Sequence, residues 1–174
     1  MTEKITELIS ESMIDKRIRA LAKQISEDYE GREIYLVGIL KGASMFMCDL
    51  AKRITVPVKL DFMSVSSYGS GTRSSGVVRI GKDLDSSIEG LDVIIVEDIV
   101  DSGRTLAYLG EFLLQRGARS IRFCTLLDKP DRRVADVTID YIGFSIPDKF
   151  VVGYGMDYDQ KYRNLPYIGV ISFD

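Results

Sequence analysis

The stretch that decides the fold is Val93-Ile94-Ile95-Val96-Glu97-Asp98-Ile99-Val100-Asp101-Ser102-Gly103-Arg104-Thr105. Its first four residues are apolar and mostly β-branched, which predicts a short buried strand. Two adjacent carboxylates are predicted to end that strand, a turn of small residues follows, and an amphipathic helix opens at Arg104. Open α/β sheets bind ligands at the carboxyl ends of their strands, so this turn is a predicted binding site.

The chemistry of the turn favours a phosphorylated sugar. A helix N-terminus offers free backbone N–H groups and a positive dipole end to an anion, and Glu97, Asp98 and Asp101 supply acceptor-only carboxylates beside it. Arg104 in the first helical turn opposes the macrodipole unless an anion is bound there. For each residue alone, a plain helix cap or a solvated acid stays an alternative. Together they favour a ligand with a phosphate at one end and sugar hydroxyls, or a bound metal, at the other.

Composition narrows the classes of protein that remain. A chain of 174 residues fits one domain, and a net charge of −3 with a sequence pI near 5.1 argues against a general nucleic-acid binder. The longest clean apolar stretch, Ile34–Leu40, is too short to span a bilayer, and the first residues have no signal-peptide core. Cys48 and Cys124 lack CxxC spacing and are predicted to be buried, reduced thiols of a cytoplasmic protein.

The chain contains no histidine. This excludes Ser-His-Asp triads, Cys-His pairs and HExxH zinc sites. Acid–base chemistry must therefore use carboxylates, lysine or tyrosine. A bound metal would be held by oxygen, which favours Mg²⁺ or Mn²⁺.

Hydrophobic periodicity predicts alternating strands and helices. Ile14, Ile18, Leu21 and Ile25 repeat at helical spacing, with a capping box at Ser12 and Asp15 and a stop at Gly31. The other predicted elements are strands over 34–40, 56–65, 77–80 and 121–127, helices over 43–53 and 104–116, and short apolar runs over 141–144, 151–154 and 168–173. This order implies an α/β fold in which a central parallel sheet carries helices on both faces. The chain ends are predicted to add a small cap, and the Ser/Gly-rich segment 66–76 a long loop that acts as a lid.

Two glycine-containing motifs point elsewhere but do not fit. Residues 76–83 nearly match the phosphate-loop pattern GxxxxGK[ST], but Asp83 replaces the Ser/Thr that would hold Mg²⁺, and the middle residues favour a strand. Gly69-x-Gly71 lacks the third glycine of a dinucleotide-binding turn. Phosphoacceptor signalling domains also place acids after a strand, but nearer the N-terminus than this pair.

Four segments, in order along the chain, resemble the type I phosphoribosyltransferases, and most closely their hypoxanthine-guanine phosphoribosyltransferase branch. They are Leu40-Lys41-Gly42, the stretch Glu97 to Thr105, Leu126-Leu127-Asp128-Lys129-Pro130, and Ile146-Pro147-Asp148-Lys149-Phe150-Val151-Val152-Gly153-Tyr154-Gly155-Met156-Asp157-Tyr158 continuing to Arg163. The resemblance implies a single domain over residues 1–174, with a hood formed by the N- and C-terminal segments.

The resemblance also implies a purine-salvage reaction. N9 of hypoxanthine or guanine would attack C1 of the ribose of 5-phosphoribosyl pyrophosphate (PRPP), releasing pyrophosphate and forming IMP or GMP. The transition state should resemble an oxocarbenium ion, and Mg²⁺ would neutralise the leaving pyrophosphate. The alternatives are a relative that prefers xanthine or a pyrimidine, and a nucleic-acid-binding regulator that senses PRPP. Relatives imply a homodimer or homotetramer with no nucleic-acid or membrane partner.

The resemblance assigns each site residue a role. Asp101 would be the catalytic acid/base at purine N7, and Glu97 and Asp98 would bind the ribose hydroxyls. Ser102, Gly103, Arg104 and Thr105 would bind the 5-phosphate, and Lys41, Gly42 and Arg163 the pyrophosphate. The purine would be bound by Lys129 at O6, Phe150 by stacking, Val151 through its backbone, and Asp157. Asp157, Glu97 and Asp98 would bind Mg²⁺, and Ser67 and Tyr68 would form the lid.

Overall fold

A six-stranded sheet forms the centre of the protein. The computed structural model describes residues 1–67 and 78–174, and for Ser67 the backbone alone. The strands of this sheet are β2 (Ile34–Leu40), β3 (Val58–Ser67), β4 (Val78–Lys82), β5 (Asp92–Val100), β6 (Ser120–Asp128) and β7 (Tyr141–Ser145). Their order is β4-β3-β2-β5-β6-β7.

The predicted parallel arrangement is confirmed for all of this sheet except its β4 edge. β2, β3, β5, β6 and β7 pair in parallel, whereas β4 pairs with β3 antiparallel. Residues 68–77 are too few for the crossover, usually helical, that a parallel neighbour requires. The chain therefore returns alongside β3 in the opposite direction.

Helices cover both faces of the sheet, as predicted. α1 (Glu11–Asp28) and α2 (Ser44–Ala51) share one core with the inward side chains of the central strands, including Leu36 and Ile94. α3 (Arg104–Gln115) packs Leu106, Leu109 and Leu113 into a second core with Val37 and Ile95 on the opposite face. Because β2 is buried on both faces, its sequence is almost continuously apolar.

The two ends of the chain meet in a second, three-stranded sheet. β1 (Glu3–Ile9), β8 (Val151–Val152) and β9 (Ile168–Phe173) are ordered β1-β9-β8, and both pairings are antiparallel. This confirms the small cap predicted from the chain ends. Its first strand was not predicted. Of the apolar run predicted over 151–154, Val151 and Val152 form a strand, and it ends there because Gly153 and Tyr154 adopt positive φ.

Two local predictions are wrong. Helix α1 is capped by Ser10, whose side chain accepts from the Met13 N–H at 3.2 Å, so Ser12 lies inside the helix and forms no capping box. Asp15 instead pairs with Arg19 and Arg53. Cys48 is exposed rather than buried, whereas Cys124 is buried, and both thiols are free. No helix in residues 1–67 and 78–174 is long and apolar enough to cross a membrane.

Candidate functional site

The site lies where the connections of the sheet change direction. β2 leads to β3 on one side, while β5 leads to β6 and β7 on the other. The carboxyl ends of β2 and β5 therefore flank a crevice at the topological switch point, the usual ligand site of open α/β sheets. The predicted site residues lie at or just after strand ends, at Lys41 after β2, Asp101 after β5 and Lys129 after β6.

The acidic pair does not end its strand, contrary to the sequence prediction. β5 continues to Val100 because β6 pairs with it as far as Val100 and Asp128, whereas its pairing with β2 stops at Gly38 and Val96. Glu97 and Asp98 thus sit on a stretch of strand that is open on the β2 side. Their backbone is fixed by the sheet while their side chains border the crevice.

Two cavities meet at the end of β5. The larger has a volume of about 380 Å³ and the smaller about 220 Å³, and Ile99 and Asp101 line both. The larger is also lined by Asp98, Lys129, Arg132, Asp148, Phe150, Val151, Met156 and Asp157. The smaller is also lined by Glu97, Val100, Ser102, Gly103, Thr105 and Leu106. The residues predicted to bind the purine thus line the larger cavity, and most of those predicted to bind the 5-phosphate line the smaller one. Asp101 borders both cavities.

The smaller cavity opens on the N-terminus of α3. Gly103 precedes the helix with φ +81° and, as a glycine, has no side chain that could cap it. Ser102 Oγ accepts from the Arg104 N–H at 3.3 Å, so the capping alternative holds only for that one amide. A helix start lined by Ser102 and Thr105 is suited to a phosphate. Arg104 is exposed there.

Residues 133–135, which the sequence analysis missed, donate hydrogen bonds to the backbone of this turn. The Ser102 carbonyl accepts from the N–H groups of Val134 and Ala135, both at 3.0 Å, and the Asp101 carbonyl accepts from Arg133 Nε at 3.2 Å. Arg133 also pairs with Asp128. No local motif marks these residues, because their role depends on contact with a turn some 30 residues earlier in the chain.

The acidic pair is packed against the loop after β2. A Cβ on Gly42 would lie 1.9 Å from Asp98 Oδ2, so any larger residue there would displace the Asp98 carboxylate. The Leu40–Lys41 peptide is cis. Desolvation, and the neighbouring Asp98 carboxylate, raise the pKa of Glu97 well above its ordinary value. Because Gly42 packs directly against Asp98, the loop that carries Lys41 and Gly42 borders the predicted ribose site.

Asp101 and Lys129 form the polar centre of the larger cavity. Lys129 is 8% exposed, and its Nζ lies 3.8 Å from Asp101 Oδ1 and 3.4 Å from Asp148 Oδ1. Asp101 Oδ1 is buried without a hydrogen-bond partner among the described residues. A buried acceptor without a donor is costly, so it is suited to a proton that arrives with a ligand. Arg132 and Lys129 lower the pKa of Asp148.

An exposed aromatic ring borders the same cavity. Phe150 is 55% exposed, which is unusual for so large an apolar side chain, and its ring meets the edge of Tyr158 with centroids 5.9 Å apart. One face of such a ring is available for offset stacking on a planar ligand. Val151 lies beside it as the first residue of β8.

A polar cluster gathers Lys41, Asp157 and Arg163, three of the predicted site residues. Arg163 Nη2 lies 3.3 Å from Asp157 Oδ1, and Arg163 Nη1 donates to the Gly155 carbonyl at 2.7 Å. Gln160, which sequence reasoning missed, accepts from both Lys41 and Arg163 at 3.2 Å. Its position between two predicted residues, Asp157 and Arg163, was the one available signal.

The predicted metal ligands do not form a preformed cage. Within residues 1–67 and 78–174 no group of three acidic or sulfur ligands is close enough to hold an ion. Asp98 and Asp157 line the larger cavity and Glu97 the smaller. Mg²⁺ is usually bound by one or two carboxylates together with substrate phosphates and water, so this donor set fits an ion that enters with a phosphorylated ligand.

Two further predictions fall at the edge of the described chain. Tyr68 and the side chain of Ser67, predicted to form the lid, lie outside the described residues. In the near phosphate-loop motif, Val78, Arg79 and Ile80 belong to β4, which confirms the strand predicted there for these residues. β4 continues through Gly81 and Lys82. Asp83 pairs with Arg116 at 2.6 Å instead of approaching a phosphate.

The fold and the two-compartment crevice define an α/β protein whose site suits a phosphorylated sugar beside a planar group. A family model described as "Phosphoribosyl transferase domain" matches residues 6–159, and the chain belongs to this family. A hypoxanthine-guanine phosphoribosyltransferase of Bacillus subtilis is 54% identical over 165 residues, covering 95% of this chain and 92% of that protein. These matches confirm the predicted family and branch.

The similarity extends to solved structures and to longer proteins. The crystal structure of a hypoxanthine-guanine phosphoribosyltransferase from Bacillus anthracis superposes with a TM-score of 0.93 at 44% identity, covering 99% of this chain and all of that one. A bifunctional TilS/HprT protein of Listeria monocytogenes is 54% identical over 165 residues, and the chain spans only 26% of its length. The TM-score confirms the predicted fold class.

Proposed function

We propose that this protein transfers the 5-phosphoribosyl group of PRPP to N9 of hypoxanthine or guanine, forming IMP or GMP and pyrophosphate in purine salvage. The observation that carries the proposal is the pair of cavities that share Asp101. One has a helix N-terminus suited to a phosphate, and the other has an exposed ring suited to a purine. The two reactants would therefore meet at the carboxyl end of β5.

The 5-phosphate binds at the start of α3, through backbone N–H groups and the Ser102 and Thr105 hydroxyls. Glu97 and Asp98 accept hydrogen bonds from the ribose hydroxyls. Their negative charge lies close to the ribose carbon, where it stabilises positive charge that develops as pyrophosphate leaves. Lys41, Gly42 and Arg163 bind the pyrophosphate.

The purine occupies the larger cavity. Phe150 stacks on its face, the Val151 backbone meets its edge, and buried Lys129 donates to O6. Asp101 Oδ1, which has no other donor among the described residues, takes the proton from N7 as N9 attacks, and returns it to N7 only in the reverse reaction. Bound through Asp157 or through the acidic pair, Mg²⁺ would supply neutralising charge to the pyrophosphate.

The direct test supplies PRPP, Mg²⁺ and a panel of free bases, and measures nucleotide and pyrophosphate. We expect turnover with hypoxanthine, guanine or both, and little with pyrimidines. Turnover with xanthine or a pyrimidine alone would replace the proposed substrate. A salt-dependent shift of RNA without any turnover would favour a PRPP-sensing regulator instead.

We propose further that the protein acts in the cytoplasm, where its two free thiols stay reduced.

We also propose that the protein self-associates as a homodimer or homotetramer. α2 has eight residues and is about 12 Å long, whereas the ten residues of β3 extend about 33 Å. The helix leaves Leu60 of β3 52% exposed in a shallow apolar groove with Val58, Ala51 and Cys48. A second copy of the chain would bury this groove. Light scattering tests this, and Leu60→Glu should lower the measured mass toward the 19.5 kDa of one chain.

A further inference from the structure

One neutral side chain bridges two of the cations assigned to pyrophosphate. Gln160 Oε1 accepts from Lys41 Nζ and from Arg163 Nη2, each at 3.2 Å. The two cations come from separate parts of the chain, the loop after β2 and the segment that follows β8. A single oxygen therefore holds them within two hydrogen-bond lengths of each other.

Of these two cations, one has a carboxylate partner among the described residues. Arg163 forms an ion pair with Asp157, with Nη2 lying 3.3 Å from Oδ1. Lys41 is exposed and has no carboxylate within 4.0 Å among the described residues. Two like charges at such separation repel each other, and they do so more strongly near a protein surface than in bulk water. The carboxamide dipole offsets part of that repulsion without cancelling either charge.

The backbone of Gln160 is fixed for this purpose. Gln160 has φ +64°, a left-handed conformation that is costly for a residue other than glycine or asparagine. Its N–H donates to Asp157 Oδ2 at 2.8 Å, and Tyr158 and Lys161 on either side exchange two backbone hydrogen bonds. The tight turn projects the Gln160 amide toward both cations.

We propose that Gln160 is a positioning residue for the pyrophosphate end of the site. Its amide oxygen holds Lys41 and Arg163 side by side and, being uncharged, leaves both charges available to a diphosphate. This inference rests on the proposed function, which assigns the two cations to pyrophosphate. A glutamate of the same size at this position would form ion pairs with them and compete with the ligand.

The test compares Gln160→Glu with Gln24→Glu, an exposed position on α1 that adds the same charge away from the site. Titration calorimetry with Mg²⁺ and pyrophosphate measures binding without turnover. We expect Gln160→Glu to weaken pyrophosphate binding about tenfold and to raise the KM for PRPP by a similar factor. The KM for hypoxanthine and the melting temperature should stay at the values of the Gln24→Glu control.

A second variant separates charge from reach. Gln160→Asn keeps a neutral amide, tolerates the left-handed backbone and is one methylene too short to hold both cations, so we expect only about a threefold loss of pyrophosphate affinity. Equal affinity in Gln160→Glu and the Gln24→Glu control would overturn the role of Gln160, as would equal losses in Gln160→Glu and Gln160→Asn. Absence of nucleotide formation by the unmodified protein would instead contradict the proposed function.

Discussion

At the scale of single residues, Asp101 is the group on which turnover should depend most. We expect Asp101→Asn to lower kcat by 10² to 10⁴, because an amide cannot take the N7 proton, while PRPP still binds. Nucleotide formation measures the first effect and PRPP titration calorimetry the second. Asp136→Asn, at an exposed position, is the matched control. A variant at Asp101 that retained full turnover would contradict its acid–base role.

The raised pKa of Glu97 predicts a pH limit on PRPP use. As the pH falls through that pKa, the carboxylate gains a proton and loses both its charge and part of its capacity to accept ribose hydrogen bonds. The kcat/KM for PRPP should therefore fall on the acidic side. Glu97→Gln should lower kcat/KM about tenfold or more and remove this acidic limb, whereas exposed Glu111→Gln should leave the pH profile unchanged.

Motif-borne residues could be predicted at this scale, and residues defined by distant contacts could not. Asp101 and Lys129 stand in short segments whose residue types carry their chemistry. Gln160 accepts a hydrogen bond from Lys41, which lies 119 positions away in the sequence, and Arg133 donates one to the Asp101 carbonyl. Neither side chain has a chemical type that marks a site, so their roles become visible only when the chain is folded.

At the scale of elements, the start of α3 should tolerate no side chain at Gly103. Its φ is +81°, and an added Cβ would lie 2.7 Å from Val137 Cγ1 and 2.8 Å from Arg133 Cδ. Gly103→Ala should therefore lower the free energy of unfolding by more than the roughly 1 kcal/mol of backbone strain alone, and weaken PRPP binding. Gly90→Ala is the control, because Gly90 has φ +74° but open space around it. Thermal unfolding and PRPP titration measure both effects, and equal losses in the two variants would contradict a packing role.

The elements differ in how well their sequence specified them. β2 is buried on both faces, so a continuous apolar run sufficed to predict it. β5 was predicted to end four residues too early, because Glu97 and Asp98 stay in the strand through pairing with β6, a partner that the local pattern does not show. β1 was missed as a strand since its pairing depends entirely on β9, at the other end of the chain.

At the scale of the whole molecule, the two ends of β5 carry carboxylates that titrate in opposite senses. Glu97, at the crevice, has a raised pKa, so its burial favours the folded state more as the pH falls. Asp92, at the other end of the strand, is buried, and hydrogen bonds from Arg119 and Ser120 lower its pKa to about 2. The crevice end of β5 and its opposite end should therefore respond to acid separately.

Asp92 should provide acid-sensitive stability. Its pKa is depressed in the folded state, so the unfolded chain takes up the proton first as the pH falls, and stability that is complete above about pH 5 is lost progressively toward pH 2. The shift corresponds to about 2 kcal/mol at neutral pH. Asp92→Asn should thus lower the free energy of unfolding at neutral pH by about that amount, which lowers the denaturant concentration at the midpoint of unfolding. Its stability should also fall less steeply between pH 5 and pH 2. Denaturant titrations at several pH values, with exposed Asp136→Asn as control, measure both. Because Asp92 lies at the opposite end of β5 from the crevice, KM for PRPP should be unchanged in the folded variant, and an altered KM would contradict the separation of the two ends.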